Sequence, residues 1–217
     1  MSAGDPEIGL DDAYAVDGPE ENRELYRRWA STYEESFIAA EGYHYHQRVA
    51  SIFVEVGASG PVLDVGCGTG VVGVELRRLG TAPIDGVDIS RAMLDQASDK
   101  ETRSGKVYRR LIEADLTGPV DIASDSYAGV ISAGTFTHGH LGPRSLGELI
   151  RVAAPGAWLV IGINSAHFAE LGFDRHLEAL VVGGLIGEYE LVTVPIYDDS
   201  ENANPDRVSN VAVFTVI

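Results

Sequence analysis

Apolar residues recur at helical spacing from residue 20 onward. Leu25, Trp29, Tyr33 and Phe37 stand four positions apart, which places them on one stripe of a helix. A second helix is predicted over 45–56. Residues 1–19 are acidic, interrupted by glycine and proline, and lack any period. We therefore expect this first segment to be a mobile leader without regular structure.

After residue 57, short apolar runs alternate with helix-length segments. The predicted strands are 62–65, 84–88, 107–113, 127–133, 158–164, 188–197 and 210–217, and the predicted helices between them are 70–79, 91–100, 143–152 and 168–185. Strands separated by helices indicate parallel crossovers with helices on both faces of one sheet. The last two strands have no helix between them, so they should form an antiparallel hairpin. The pattern predicts a single α/β domain with a helical cap (20–57) and a seven-stranded, mostly parallel sheet core (58–217) whose last strand is antiparallel.

Charge and cysteine content restrict the classes of partner and the cellular compartment that we expect. The 217 residues include 16 basic and 33 acidic side chains, for a net charge of −17. That charge repels phosphate backbones and anionic lipids, so we expect neither nucleic acid nor membrane as a partner. Cys67 is the single cysteine, which excludes an internal disulfide and fits a reducing cytoplasm. No apolar stretch is long enough to span a bilayer, and the first residues do not resemble an export signal.

The chemistry is concentrated in the loop after the first predicted strand. Gly66, Gly68 and Gly70 alternate there, which lets the chain turn sharply and lets a ligand approach bare backbone. The same loop satisfies the dinucleotide pattern G-x-G-x-x-G through Gly73, so the glycines alone leave two cofactor classes open. Asp64 precedes the loop and would repel a pyrophosphate. The same carboxylate would attract the ammonium and sulfonium groups of S-adenosylmethionine.

These residues also resemble a known family. Asp64-x-Gly66-x-Gly68-x-Gly70 is similar to the first motif of class I S-adenosylmethionine-dependent methyltransferases, and Gly86-Val-Asp88-Ile89-Ser90 resembles their second-strand motif. Segments 26–33 and 132–141 resemble the methyltransferase-like proteins of the Williams-Beuren chromosomal region, and that resemblance covers about 22–164. The resemblance implies a Rossmann-like fold, this cofactor and methyl transfer. Together with the loop it predicts the following cofactor-binding residues: Tyr26, Trp29, Tyr33, Asp64, Gly66, Cys67, Gly68, Gly70, Asp88, Ile89, Asp115, Leu116, Ala133 and Gly134.

Individual roles follow from chemistry and position. The Asp88 carboxylate at a strand end can accept two hydrogen bonds from a ribose diol, and Ile89 can pack on the adenine. The resemblance implies that Asp115 accepts from the adenine amine, although an aspartate there could equally cap a turn. Trp29 and Tyr33 are interpreted either as core or as a shield over the sulfonium. Cys67 is small enough to pack beneath the loop.

Two histidine pairs, His44-x-His46 and His138-x-His140, raise the question of a metal. No run of carboxylate or thiol ligands accompanies them, so we predict no metal site. The 138–140 loop follows the fourth major strand, where parallel sheets place their ligands. His138 and His140 are therefore the predicted catalytic residues, as proton acceptors or substrate-positioning groups, with His138 preferred.

Two further histidines, His167 and His176, are expected at the surface.

The predicted function is methyl transfer to a small-molecule acceptor by in-line displacement, in which the cofactor carries the activation. Three alternatives remain open: a nicotinamide-dependent oxidoreductase, a nucleic-acid or protein methyltransferase, and a non-catalytic cofactor-binding protein. The first is disfavoured because no Tyr-x-x-x-Lys motif is present, and the second because 132–135 lacks the Pro-Pro motif of exocyclic-amine modifiers. Oligomeric state is not predicted.

Overall fold

The structure is a computed structural model that describes residues 8–39, 42–81, 83–197 and 207–217. Its helices are α1 (Leu10–Ala15), α2 (Pro19–Trp29), α3 (Tyr45–Glu55), α4 (Val71–Arg78), α5 (Arg91–Ser98), α6 (Leu146–Val152), α7 (Ser165–Leu171) and α8 (Phe173–Val182), with a π-helical segment at Glu34–Ala39 and a 3-10 turn at Pro143–Ser145. Its strands are β1 (Val62–Val65), β2 (Ile84–Asp88), β3 (Glu101–Thr102), β4 (Gly105–Lys106), β5 (Arg110–Glu113), β6 (Tyr127–Phe136), β7 (Ala153–Asn164), β8 (Glu190–Pro195) and β9 (Val208–Thr215).

Seven of these strands form one sheet in the order β5-β2-β1-β6-β7-β9-β8. The first five are parallel to their neighbours, and β9 runs antiparallel to both β7 and β8. The predicted α/β, Rossmann-like architecture with an antiparallel last strand is confirmed. The predicted hairpin of the last two strands is also present, although most of its connection lies outside the described residues. Among the helices that the structure describes, none is long and apolar enough to cross a membrane.

Helices cover both faces of the sheet because successive strand residues point to opposite sides. Leu63 and Val65 point toward the face covered by α6 to α8, where the core contains Phe173 and Leu177. Val62 points toward the other face, covered by α2 to α5. Asp64 alternates with Leu63 and Val65, so it lies on the same face as Val62. This direction determines which groups surround the Asp64 carboxylate.

The predicted amino-terminal cap is present but is not one continuous helix. Helix α2 ends at Trp29, and a turn separates it from the π-helical segment. Leu25, Trp29 and Phe37 are all buried in the core on this face of the sheet. The apolar stripe therefore marks one buried face across a break in the helix, because tertiary packing of the aromatic rings does not require a continuous backbone helix.

The expectation that residues 1–19 lack regular structure is wrong for the part described. Leu10–Ala15 is helical, Ala13 is buried, and Pro19 begins α2 as its first residue. Six helical residues are too few to be stable alone, so sequence periodicity misses α1 and packing on the rest of the chain accounts for it. Residues 1–7 lie outside the described residues.

Several boundaries also differ from the prediction. The predicted helix 168–185 is two helices, because Gly172 adopts a left-handed conformation (φ 66°) that ends α7 and precedes α8. Strand β6 continues to Phe136, three residues past the predicted end. The short hairpin of β3 and β4 was not predicted, since two-residue strands leave no period to detect.

Candidate functional site

A cavity of about 460 Å³ opens at the carboxyl ends of the parallel strands, beneath the amino-terminal cap. This is the edge at which open α/β sheets bind ligands, and the volume is within the usual range for a small-molecule site. Its lining includes twelve of the sixteen predicted site residues: Tyr26, Tyr33, Gly66, Gly68, Asp88, Ile89, Asp115, Leu116, Ala133, Gly134, His138 and His140.

The glycine loop leaves open space for a ligand. Gly66 and Gly68 have positive φ angles of 64° and 51°, in the left-handed region that favours glycine. A Cβ added at Gly68 would meet no heavy atom within 4 Å, whereas a Cβ at Gly66 would overlap Thr135. Gly68 therefore faces the cavity itself. A ligand can approach its backbone at a position that any side chain would occupy.

Asp88 is held firmly at the end of β2. Its two carboxylate oxygens accept hydrogen bonds from the backbone N–H groups of Gly68, at 2.9 Å, and of Ser90, at 2.8 Å. Burial raises the pKa of this carboxyl, and the backbone hydrogen bonds oppose that shift. A fixed acceptor beside the glycine loop, with Ile89 next to it, is suited to a ligand that carries both hydroxyl groups and an apolar ring.

Asp115 makes hydrogen bonds within its own turn, in agreement with the capping interpretation, which is one of the two that the sequence left open. One of its oxygens accepts from both the backbone N–H and the hydroxyl of Thr117, at 2.9 and 2.7 Å. Its other oxygen lies 3.8 Å from the Arg23 guanidinium. Asp115 nevertheless lines the cavity beside Leu116, so capping the turn does not remove it from the site.

Asp64 does not line the cavity, so the expected direct attraction to a cationic ligand is not available to it. It is fully buried beneath the loop, where the Tyr108 hydroxyl donates to it at 2.7 Å. The alternation of β1 explains this placement, because it directs Asp64 toward the face covered by α4. Burial raises the pKa of Asp64 to about 7. Its second oxygen has no protein partner among the described residues.

Cys67 and Gly70 also lie outside the cavity. The Cys67 thiol is buried under the loop, close to Gly86, and burial raises its pKa well above the ordinary range. This is the packing position that its small size suggests. Gly70 (φ 94°) makes the turn into α4. Both residues shape the loop from below.

The three cap aromatics divide between the cavity and the core. Trp29 is buried, and its indole N–H donates to the Ser36 hydroxyl at 3.0 Å. It does not line this cavity, so the structure favours the core interpretation of Trp29 over that of a shield above a ligand. Tyr26 stacks on Trp29 at 6.0 Å and Tyr33 packs edge-on against it at 4.9 Å. Trp29 thus supports the two tyrosines, which do face the cavity.

His140 and Tyr26 form a hydrogen-bonded pair in the cavity wall. His140 Nδ1 lies 2.7 Å from the carbonyl oxygen of His138, and Nε2 lies 2.9 Å from the Tyr26 hydroxyl. Because a carbonyl can only accept, Nδ1 carries the proton and Nε2 accepts from Tyr26. Burial lowers the pKa of His140 and so favours this neutral form.

His138 lies in a second group with His167 and Glu170. His138 Nδ1 is 3.5 Å from a Glu170 carboxylate oxygen, and its ring meets that of His167 edge-on at 5.3 Å. The expectation of a surface position is wrong for His167, which is buried at the start of α7 and faces the cavity. Residue type and spacing did not reveal it, because its partner His138 comes from a different strand end.

The other histidine pair does not form a site. Helix α3 begins at Tyr45, so His44 and His46 do not share the face that an extended chain would give them. His46 is buried and stacks on the Tyr43 ring at 5.8 Å. Burial lowers its pKa to about 4. His46 is a core residue.

The end of the leader completes the cavity, which sequence reasoning missed. Asp17, Gly18, Pro19 and Asn22 all line it. The Asn22 side chain donates to the carbonyl oxygen of Gly139, between the two histidines, at 3.0 Å. No sequence motif marks this contact, since it links positions more than a hundred residues apart.

The fold agrees with the comparisons to known proteins. Residues 62–156 match the family profile described as "Methyltransferase domain". This stretch, which is less than half of the chain, is therefore similar to methyltransferase domains. Human methyltransferase-like protein 27 is 31% identical over 161 residues, which make up 71% of this chain and 62% of that protein. The chain thus spans less than two thirds of this relative's length.

Solved structures support the same fold. The N-methyltransferase NodS from Bradyrhizobium japonicum, solved with S-adenosylhomocysteine, has a TM-score of 0.66 at 14% identity, covering 89% of this chain and 97% of NodS. A chain from the complex between the Haloferax volcanii Trm112 methyltransferase activator and a protein described as a methyltransferase has a TM-score of 0.61 at 18% identity, covering 88% of this chain and 97% of that chain. At these identities the likeness concerns the fold alone.

Proposed function

We propose that this protein is a class I S-adenosylmethionine-dependent methyltransferase, which binds S-adenosylmethionine in the cavity and transfers its methyl group to a small-molecule acceptor. The observation that carries the proposal is the open space in front of Gly68, next to the fixed Asp88 carboxylate and the apolar side chain of Ile89. A carboxylate at this position fits the ribose of either an amino-acid nucleoside or a dinucleotide, and the match of residues 62–156 to a methyltransferase-domain profile supports the amino-acid nucleoside.

The chain's own residues would hold the cofactor from two sides. Asp88 would accept from the ribose hydroxyls, while Ile89 and Leu116 would enclose the adenine. Asp115 would accept from the exocyclic amine through the oxygen that now lies near Arg23. The bound cofactor supplies an electrophilic methyl group with a neutral thioether as leaving group, so these residues need only align it and exclude water.

The acceptor end of the cavity is lined by Tyr26, His138 and His140. An acceptor hydroxyl or amine would use its lone pair to bond the methyl carbon as the carbon–sulfur bond breaks, with that electron pair remaining on sulfur. Its proton would pass to His140 Nε2 through the Tyr26 hydroxyl, which is already hydrogen-bonded to that nitrogen. The hydrogen bonds therefore favour His140 over His138 as proton acceptor. A cavity of about 460 Å³ supports a small molecule over a polymer.

Titration calorimetry tests the cofactor assignment. S-adenosylmethionine and S-adenosylhomocysteine should bind with about micromolar affinity, roughly 8 kcal/mol, and NAD should give no measurable heat. Gly68→Val should abolish binding, because a branched side chain would fill the ligand's space. Gly57→Val is the matched control, since Gly57 also has a positive φ (73°) and an added Cβ would meet no heavy atom within 4 Å, but it lies outside the cavity.

Preferential binding of NAD would overturn the cofactor assignment, and equal losses in the two glycine variants would remove the loop from the site. Activity needs a separate measurement: transfer of radiolabelled methyl to a panel of small hydroxyl, amine and thiol compounds. Cofactor binding without transfer to any small molecule or protein substrate would favour the non-catalytic alternative.

A further inference from the structure

At the acceptor end of the cavity, His138, His167 and Glu170 come together from two strand ends. His138 follows β6, and the other two residues stand three apart on α7, which places them on one helix face. One ring nitrogen from each histidine and one carboxylate oxygen lie within 4.8 Å of one another. We infer that these three side chains form a binding site for a transition-metal ion, with zinc as the best match. The role assigned to the ion rests on the proposed function, whereas the test of metal binding does not.

The donor set and its spacing fit zinc. Two imidazoles and a carboxylate are a common set of protein ligands for catalytic zinc, with bonds of about 2.0 Å and one position left open. Tetrahedral bonds of that length separate ligand atoms by about 3.3 Å, close to the 3.5 Å between His138 Nδ1 and Glu170. Nitrogen donors disfavour magnesium, which prefers oxygen ligands.

The hydrogen bond behind His167 also suits a metal ligand. His167 Nε2 lies 3.0 Å from the carbonyl oxygen of Leu141. Because the carbonyl can only accept, Nε2 carries the proton and Nδ1 carries the lone pair. A backbone carbonyl that fixes the far nitrogen of a histidine is the usual outer contact of metal-binding histidines. A simple His138–Glu170 ion pair would not require this orientation of a second, buried imidazole.

The position of the three ligands suggests what the ion does. All three line the same cavity as Asp88 and Tyr26, so an open coordination position would face the proposed acceptor. Zinc bound to an acceptor hydroxyl or thiol would lower its pKa and hold its oxygen or sulfur in place. The acceptor's proton would leave to solvent or to the Tyr26–His140 pair, and its remaining lone pair would attack the methyl carbon. The inference thus narrows the acceptor to a small molecule with a metal-binding oxygen or sulfur atom.

Metal binding by the untagged, chelator-stripped protein provides the test. Titration with Zn²⁺ should show one site per chain, and Co²⁺ should give the visible absorption of a low-symmetry nitrogen and oxygen site. Glu170→Gln should weaken Zn²⁺ binding at least about tenfold, the equivalent of about 1.4 kcal/mol. The Glu170 side chain is largely exposed, so this variant should fold normally. Glu178→Gln, an exposed glutamate on α8 outside the cluster, should bind like the wild type.

His138→Ala provides a second variant and should weaken binding by at least the same factor. Absence of a stoichiometric site for Zn²⁺, Co²⁺ and Mn²⁺ would overturn the inference, as would unchanged affinity in both Glu170→Gln and His138→Ala. Calorimetry with S-adenosylhomocysteine on the same samples separates this inference from the proposed function. Cofactor binding without a metal site would reject only the metal, and a metal site without cofactor binding would reject only the cofactor assignment.

Discussion

At the scale of single residues, Asp64 carries a large electrostatic cost beneath the glycine loop. Burial raises its pKa from 3.8 to about 7 in the folded chain. Between those values the folded state holds a proton that the unfolded state has lost, so stability should fall as the pH rises from about 4 to 7. Above pH 7 the charged carboxylate should cost on the order of 4 kcal/mol. We predict that Asp64→Asn removes this loss and is more stable than the wild type at pH 8.

Urea unfolding at several pH values measures the effect as the difference between the two proteins, which should be small near pH 4 and largest above pH 7. Asp85→Asn is a control for which we expect a stability change of the opposite sign. Burial also acts on Asp85, but hydrogen bonds from Arg109 and Tyr127 outweigh it and lower its pKa. That variant should lose stability near neutral pH. A constant difference between Asp64→Asn and wild type at all pH values would contradict the assignment.

Asp64 also shows that residue type does not reveal the direction in which a strand side chain points. Its position in the motif was enough to predict an acid beside the glycine loop, and the same reasoning located Asp88. Which way a strand side chain points depends on the register of the whole sheet, which is not a local property. His167 is the converse case. Its partners His138 and Leu141 come from a distant strand end, so only the folded chain brings them together.

At the scale of elements, the contact between the leader and the histidine loop should control access to the cavity. Gly139 has a positive φ (72°), and a Cβ there would overlap the carbonyl oxygen of Val16. We predict that Gly139→Ala displaces residues 8–18 from the loop, with a backbone penalty of about 1–2 kcal/mol. Hydrogen exchange should quicken in α1, and cofactor affinity should fall.

Gly147→Ala in α6 is the matched control. Its added Cβ would meet no heavy atom within 4 Å, and alanine is favoured over glycine inside a helix. Exchange in α1 should stay unchanged there. If Gly139→Ala leaves α1 exchange and cofactor affinity at wild-type levels, the leader does not gate the cavity.

Sequence periodicity predicts the central strands well and the short elements poorly. The central strands were predictable because parallel strands buried on both faces are nearly continuous apolar runs, as in 158–163. Helix α1 and the β3–β4 hairpin are short, and their order comes from contacts beyond their own length. The break at Gly172 depends on one left-handed residue, and an interior glycine by itself does not reveal whether it ends a helix.

At the scale of the whole molecule, the sheet order and the position of the cavity follow from the crossover rules once the elements are assigned. The amino-terminal cap is different. Its placement over the cavity depends on contacts such as Asn22 to Gly139 and on the ring packing around Trp29. The Asn22 contact is not encoded as a period or a motif, and the helical stripe that contains Trp29 does not reveal the break after α2. The acceptor end of the site, which the cap encloses, is therefore the part that sequence reasoning predicted least completely.

The net charge of −17 should act on the cofactor before contact. S-adenosylmethionine carries one net positive charge, from its ammonium, sulfonium and carboxylate groups, whereas S-adenosylhomocysteine lacks the sulfonium and is neutral. An acidic field accelerates the approach of a cation, and salt screens that field over about 10 Å at 0.1 M. We predict that raising the salt concentration slows association of S-adenosylmethionine severalfold and leaves that of S-adenosylhomocysteine nearly unchanged. Stopped-flow binding measures both rates on the same protein. Equal salt dependence for the two ligands would mean that the surface charge does not steer the cofactor.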